Sequence, residues 1–262
     1  MKIFLIIPAY NEQNRISDTL KFYTYEFAKK NKELRILVVS ESTDSTNAII
    51  RKESRKNNKI NLIYSKRKLG KGGAIIKGFS KALAQSSASD LIGFTDADNA
   101  VYASEALRMV DYMEAHPKTC GIIASRYIKG SKIIGKIPPS RFISSRAYNL
   151  LARALFGLRY SDTQCGCKIF RSDELKKIFP TLSIVDMSFD INLLYSAKLM
   201  GIKVKEFPIT YHQVNEGTKL KLSRQIPQML VATIGFRVSR SRFNAIIPDA
   251  LKARIYEMVK HW

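Results

Sequence analysis

Short apolar runs and longer amphipathic stretches alternate from the first residues of the chain. KIFLII (2–7), LRILVVS (34–40), INLIYS (60–65), DLIGFT (90–95) and CGIIAS (120–125) have strand length and are rich in Ile, Leu and Val. Between them, the segments 14–30, 45–57, 72–87 and 103–116 have helical length and amphipathic character. This βαβα alternation predicts an α/β fold, with a mostly parallel sheet flanked by helices. Pro8 stops the first strand, and Gly70, Gly72 and Gly73 open the third helix. Ligands of such folds sit beyond the carboxyl ends of the strands. Tyr10, Asn11, Glu12, Ser40, Glu41, Asp96 and Asp98 all follow strand ends and are therefore expected on one rim.

The pattern becomes irregular after residue 126. RYIKGSKIIGKIPPS reads as a basic loop, a helix signal covers 141–157, and the compact segment RYSDTQCGCKIF follows. A further helix starts near Ser188, and IKVKEFPITY (202–211) reads as a late strand. Residues 223–262 mix Leu, Ile, Phe and Trp262 with Arg and Lys. That composition predicts a basic amphipathic helical tail, which either lies on a membrane surface or packs on the domain. The chain is accordingly divided into a domain over 1–222 and a tail over 223–262. It shows no internal repeat.

With 262 residues and 45% hydrophobic content, the chain can bury a sizeable core and is not disordered. Its formal net charge of +22 calls for a polyanionic partner: nucleic acid, an anionic membrane surface or phosphorylated substrates. No DNA- or RNA-binding motif is present, so nucleic acid is not the expected partner. Cys120, Cys165 and Cys167 are too few for a disulfide framework and fit a reducing compartment. The N-terminal apolar run is too short for a signal peptide, and no stretch approaches the roughly 20 apolar residues of a membrane span. A cytoplasmic protein, peripheral on the cytosolic face of a membrane, is the expectation.

DLIGFTDADNA (90–100) carries the sharpest chemistry. An apolar strand leads into two aspartates one residue apart, and in a continued strand Asp96 and Asp98 would share a face. Such a pair suits Mg²⁺ or Mn²⁺, hard cations that prefer oxygen ligands, and small Ala97 would admit a ligand to the backbone. A solvated turn, for which Asp and Asn are common, accounts for the same residues.

The context shifts the balance toward the cation reading. IIPAYNE (6–12), STDST (42–46), GKGGAIIKGF (70–79) and DADNA (96–100) occur in the order and spacing of the family-2 glycosyltransferases, and the chain resembles that family. ASRYIKGS, SRAYNLL, DTQCGCKIF, MSFDINLLY and NEGTKL resemble its polyprenyl-phosphate branch, most of all the dolichyl-phosphate β-glucosyltransferases. The likeness runs from Ile3 to about Arg242. It implies a GT-A (Rossmann-like) fold and an inverting transfer of glucose from UDP-glucose onto dolichyl or polyprenyl phosphate, giving a β-linked lipid-phosphate sugar for glycosylation. GDP-mannose and UDP-N-acetylglucosamine are the alternative donors, and a separate membrane-tethering subunit is an open partner.

Residue by residue, the resemblance implies that Pro8, Tyr10 and Glu12 line the base and ribose pocket, with Lys71 near the nucleotide. Asp96 and Asp98 would hold the metal and diphosphate beside Ala97. Ser40-Glu41-Ser42 departs from the family's Asp-Asp-Gly or Asp-Asn-Gly, so the acidic contact to the base is either Glu41 or missing. Arg126, Arg141 and Lys168 are candidates for the acceptor phosphate, with Arg146 a further one, since guanidinium forks match phosphate oxygens. Asp190 aligns with the base of polysaccharide-making relatives, and Asp162 belongs to the lipid-phosphate branch. His212 is a candidate third metal ligand or diphosphate cover. NEGTKL (215–220) reads as a closing loop with Gly217 as hinge and Lys219 as its charge.

Overall fold

A computed structural model describes residues 1–184, 186–213 and 222–239, with side chains in the last segment described over 229–238. In chain order the elements are β1 (Lys2–Ala9), α1 (Ile16–Lys29), β2 (Glu33–Ser40), α2 (Thr46–Lys56), β3 (Ile60–Tyr64) and α3 (Gly70–Leu83). Then come β4 (Leu91–Thr95), α4 (Ala103–Ala115), β5 (Gly121–Ser125), β6 (Lys132–Ile134) and α5 (Pro139–Phe156). The last are β7 (Cys167–Arg171), α6 (Ser172–Ile178) with a 3-10 turn at Phe179–Thr181, α7 (Phe189–Leu199), β8 (Val204–Pro208), β9 (Thr210–His212) and α8 (Leu222–Ser239).

Seven strands form one sheet in the order β3-β2-β1-β4-β7-β5-β8. All its pairings are parallel except those of β7, which runs antiparallel to both β4 and β5. The alternation expected of a strand buried on both faces is seen in β1. Ile3, Leu5, Ile7 and Ala9 enter one apolar layer with α1 and α4. Phe4 and Ile6 enter the opposite layer with α3, α6 and α7. There α3 comes so close that a Cβ on Gly78 would lie 2.5 Å from the Ile6 side chain, so the helix can seat only because that position is glycine. A third apolar cluster joins Ile123 to Tyr148, Ala152 and Phe156 of α5, Ile191 and Leu194 of α7, and Phe236 of α8.

The mostly parallel α/β expectation holds through β5. Beyond it, the single late strand over 202–211 is two strands in two sheets: β8 edges the large sheet and β9 pairs with β6. The basic loop contains β6, and the compact segment RYSDTQCGCKIF, given no element from sequence, ends in a strand, β7. The described part of the tail, α8, packs on α5: Tyr148 Oη and Thr233 Oγ1 are 2.7 Å apart, and Arg237 Nε donates to the Leu155 carbonyl at 2.8 Å. Among the described residues no helix is long and apolar enough to cross a membrane.

Candidate active site

The direction of β7 places the site. Thr95, the last residue of β4, pairs with Cys167, the first of β7, so the segment 162–166 arrives beside the carboxyl end of β4. Asp96 lies just beyond β4, and its amide donates to the Gly166 carbonyl at 3.0 Å. The strand has ended by Thr95, so the shared-face argument for Asp96 and Asp98 does not apply. The two sit in a turn that passes through Asn99 at φ 55°. Asp98 Oδ1 accepts from the Ala100 amide at 3.0 Å, while Asp96 turns toward α3. Ala97 is buried in the α1–α4 layer, and its carbonyl accepts from Thr19 Oγ1 at 2.9 Å.

Lys71, in the first turn of α3, sets its ammonium 2.8 Å from Asp96 Oδ1 and 3.7 Å from Asp190 Oδ2. Burial pulls the Lys71 pKa down, but Asp96 and Asp190 more than offset that and hold it above the ordinary lysine range. Burial also pushes the Asp96 carboxyl up, against the pull of Lys71 and with the repulsion of Asp98. Asp190, in the first turn of α7, is buried. Its Oδ1 pairs with the Lys168 ammonium, and its Oδ2 accepts no hydrogen bond. Lys168 departs from the acceptor-phosphate expectation: it is fully buried, with its ammonium engaged by Asp190 and, at 2.8 Å, by the Cys165 carbonyl. Beneath these charges Phe79, Phe94 and Phe189 pack with ring centroids 6.0–6.3 Å apart. Lys71 and Lys168 stand 5.7 and 5.4 Å from the Phe94 centroid.

On the β1–β2 side, Asn11 adopts φ 55° and its Oδ1 accepts from the amides of Thr43 and Asp44 at 2.8 and 3.3 Å. The Asn11 and Glu12 amides donate to Ser42 Oγ and Thr46 Oγ1 at 2.8 and 2.7 Å. The two strand-end loops are thereby clamped together, with Tyr10 exposed on the rim and Glu12 ion-paired with Arg15. Pro8 does not stop β1 as expected but lies inside it opposite Val39, and the strand continues to Ala9. Glu41 has a task the sequence did not suggest. Its carboxylate accepts from the amides of Leu69 and Gly70 and caps the start of α3, the helix that carries Lys71.

Arg126 and Asp162, expected in separate roles, bind each other. Arg126 donates through Nε and Nη2 to Asp162 at 2.7 and 2.9 Å, and its amide donates to the same carboxylate at 3.1 Å. Burial raises the Asp162 pKa, but the Arg126 guanidinium outweighs it and leaves the carboxyl below its usual range. Arg126 also lies 5.1 Å from the ring centroids of Tyr127 and Tyr211. Arg146, from α5, lies 4.5 Å from Tyr127 and donates to the Ser161 carbonyl at 2.8 Å. Arg141 is half-buried in the first turn of α5. His212 stacks on Tyr102 with centroids 3.7 Å apart, and its amide donates to the Ala100 carbonyl. That places it beside the aspartate turn. NEGTKL, with Gly217 and Lys219, lies outside the described residues.

Asp96 and Asp98 supply hard oxygen donors, and among the described residues no group of three His, Cys, Asp or Glu assembles into an ion site. The donor chemistry fits Mg²⁺ or Mn²⁺ held by one or two carboxylates, with substrate phosphate and water completing the shell. Sequence reasoning passed over Gly166. A Cβ there would lie 2.0 Å from Asp96 Oδ2, so this glycine makes room for the carboxylate. Its signal was a glycine directly before a short strand, a position that marks close approach. Cys165 and Cys167 are free and buried, and burial pushes the Cys165 thiol up to about 12.

The Glycosyl transferase family 2 model matches residues 4–179. A dolichyl-phosphate beta-glucosyltransferase of Dictyostelium discoideum is 30% identical over 227 residues, covering 82% of this chain and 68% of the relative. One from Saccharomyces cerevisiae is 28% identical, covering 85% and 70%. A polyprenol monophosphomannose synthase of Mycolicibacterium smegmatis is 27% identical, covering 94% and 91%. Among solved structures, glucosyl-3-phosphoglycerate synthase of Mycobacterium tuberculosis, in complex with Mn²⁺, UDP and phosphoglyceric acid, matches with TM-score 0.65 at 14% identity, covering 90% of this chain and 78% of that one. The GT-A fold is thus shared.

Proposed function

The chain belongs to glycosyl transferase family 2, and from that premise we propose that it transfers a hexose, glucose from UDP-glucose, onto dolichyl or polyprenyl phosphate with inversion. The observation that carries this reading is the pairing of two subsites. Asp96, Asp98 and Lys71 form an oxygen- and ammonium-lined donor rim. Arg126 and Arg146, which meet over the Tyr127 ring, form a guanidinium pair for an anionic acceptor, and Arg141 lies in the first turn of the same helix as Arg146. The relatives named for dolichyl-phosphate transfer support the acceptor.

Asp96 and Asp98 would hold a divalent ion, which would supply charge neutralisation for the departing diphosphate. The chain's own residues position the reactants. Glu41 fixes the start of α3 and hence Lys71. Gly166 lets Asp96 reach the rim. Asp162 occupies the Nε and Nη2 edge of Arg126 and holds the guanidinium in one orientation, leaving Nη1 to meet a phosphate oxygen. A phosphomonoester has a second pKa of about 6, so the acceptor arrives largely deprotonated and no strong general base is needed. Asp162 and Asp190 accordingly serve as positioning groups: both are buried against cations. In-line displacement then depends on orientation and electrostatics.

We place the enzyme on an anionic membrane surface. Phe142, Ile143 and Leu150 of α5 are 44, 65 and 65% exposed, so the helix turns an apolar face outward beside the acceptor arginines. From 115 to 161 the sequence contains no Asp or Glu, while Lys129, Lys132, Lys136, Arg153 and Arg159 are exposed. An apolar stripe set among lysines and arginines matches an anionic bilayer. Three free thiols fit its cytosolic side.

The test offers radiolabelled UDP-glucose, GDP-mannose and UDP-N-acetylglucosamine with dolichyl phosphate and Mg²⁺ or Mn²⁺. Organic-phase label from UDP-glucose alone is expected. Label from GDP-mannose alone favours the second reading, which the mycobacterial relative supports. No label from any donor refutes the transfer itself.

A further inference from the structure

Four charges form a chain running inward from the rim: Asp96, Lys71, Asp190 and Lys168. Lys168 is fixed, because it is fully buried and bonded to Asp190 Oδ1 and the Cys165 carbonyl. Lys71 is not fixed to the same degree. Its ammonium hydrogen-bonds Asp96 Oδ1 at 2.8 Å and stands 3.7 Å from Asp190 Oδ2. That oxygen is buried and accepts no hydrogen bond. A carboxylate oxygen left unsatisfied in the interior is costly, and it needs a reason to persist.

We propose that Lys71 is an exchangeable counter-charge for the cation site. With no ion present its ammonium neutralises Asp96. When a divalent cation takes that carboxylate, the ammonium moves onto Asp190 Oδ2. The displacement needed is small, since bringing 3.7 Å to hydrogen-bond distance takes about 1 Å. The long lysine stem allows it, and the Phe94 ring alongside keeps the charge in contact throughout. Asp190 therefore acts through Lys71, as a receiver held open by Lys168. It follows that Lys71 opposes loading of the bare ion, because two cations then compete for Asp96.

This inference rests on the cation reading proposed above, and its test reads ion binding rather than turnover. Mn²⁺ affinity of the full chain without nucleotide is measured by calorimetry for the wild type, Lys71→Met, Asp190→Asn and the double variant. Lys71→Met is expected to bind Mn²⁺ about tenfold more tightly, and Asp190→Asn about tenfold more weakly, because the ammonium then has no second seat. In the double variant the Asp190 substitution is expected to have no further effect on affinity, since no ammonium remains to be received. Unchanged or weaker binding by Lys71→Met overturns the proposal, as does an Asp190→Asn effect that persists in the double variant. Should Asp190→Asn fail to fold, a Mn²⁺-soaked crystal of the wild type decides. Lys71 Nζ within hydrogen-bond distance of Asp190 Oδ2 supports the exchange, and Lys71 still on Asp96 beside the bound ion refutes it. Absence of Mn²⁺ binding by every variant, with or without UDP, overturns the cation reading along with it.

Discussion

Replacing Gly166 by alanine puts a methyl group where the Asp96 carboxylate already is. The added Cβ would lie 2.0 Å from Oδ2 and 2.5 Å from Cγ of Asp96. Carbon contacts become comfortable near about 3.5 Å, so the carboxylate must retreat by about 1.5 Å or the β7 approach must open. Either movement disturbs the 3.0 Å hydrogen bond from the Asp96 amide to the Gly166 carbonyl and the 2.8 Å contact with Lys71. Overpacking of this kind costs about 1–3 kcal/mol, a loss of a few degrees in Tm for a chain this size. The effect on function is larger, because misplacing a reacting group by about 1 Å costs about 100-fold in rate. Calorimetric Mn²⁺ binding and organic-phase label transfer, each measured well below the Tm of the variant, separate the two effects. A Gly166→Ala enzyme that binds Mn²⁺ and transfers sugar like the wild type refutes the claim that this glycine clears space for Asp96.

Asp98→Ala is expected to abolish lipid-linked label while leaving the Tm nearly unchanged, because its carboxylate is only half-buried; full transfer by this variant contradicts the cation role. Arg126→Met leaves Asp162 buried without its partner, and urea unfolding at pH 7 is expected to show a loss of about 3–5 kcal/mol. Asp162 has its carboxyl pKa depressed in the fold, so its pairing stabilises above the unfolded value of about 3.9 and is lost as pH falls below it. The gap between wild type and Arg126→Met should therefore narrow as pH falls below about 3.9, and a gap independent of pH contradicts the pairing. Ile143→Asp with Leu150→Asp, both at exposed positions, is expected to abolish sedimentation with vesicles containing anionic lipid while preserving transfer to a short, water-soluble polyprenyl phosphate. Undiminished sedimentation refutes α5 as the membrane face.

The first half of the chain was readable because β1, β2 and β4 follow the elementary rules for a buried parallel strand. Their apolar runs are short and continuous, and polar residues follow each strand end: Tyr10-Asn11 after β1, Glu41-Ser42 after β2 and Asp96 after β4. β7 escaped because its sequence, CKIFR, sets a lysine at its second position, which reads as solvent exposure. Lys168 is buried only because Asp190, 22 residues later, meets it inside, and no local pattern announces that partner. The pairings of Arg126 with Asp162 and of Glu41 with the start of α3 were hidden for the same reason. Each residue's type was legible, but its partner is fixed by topology. The strand between 202 and 211 was correct in kind but split, because β8 and β9 serve different sheets.

The most direct measurement is a crystal structure of the protein with Mn²⁺ and UDP-glucose, with the ion located by its anomalous scattering. The account predicts the ion on the carboxylates of Asp96 and Asp98, bridged to the diphosphate. An ion and diphosphate bound away from that aspartate turn, with Lys71 still paired to Asp96, would contradict it.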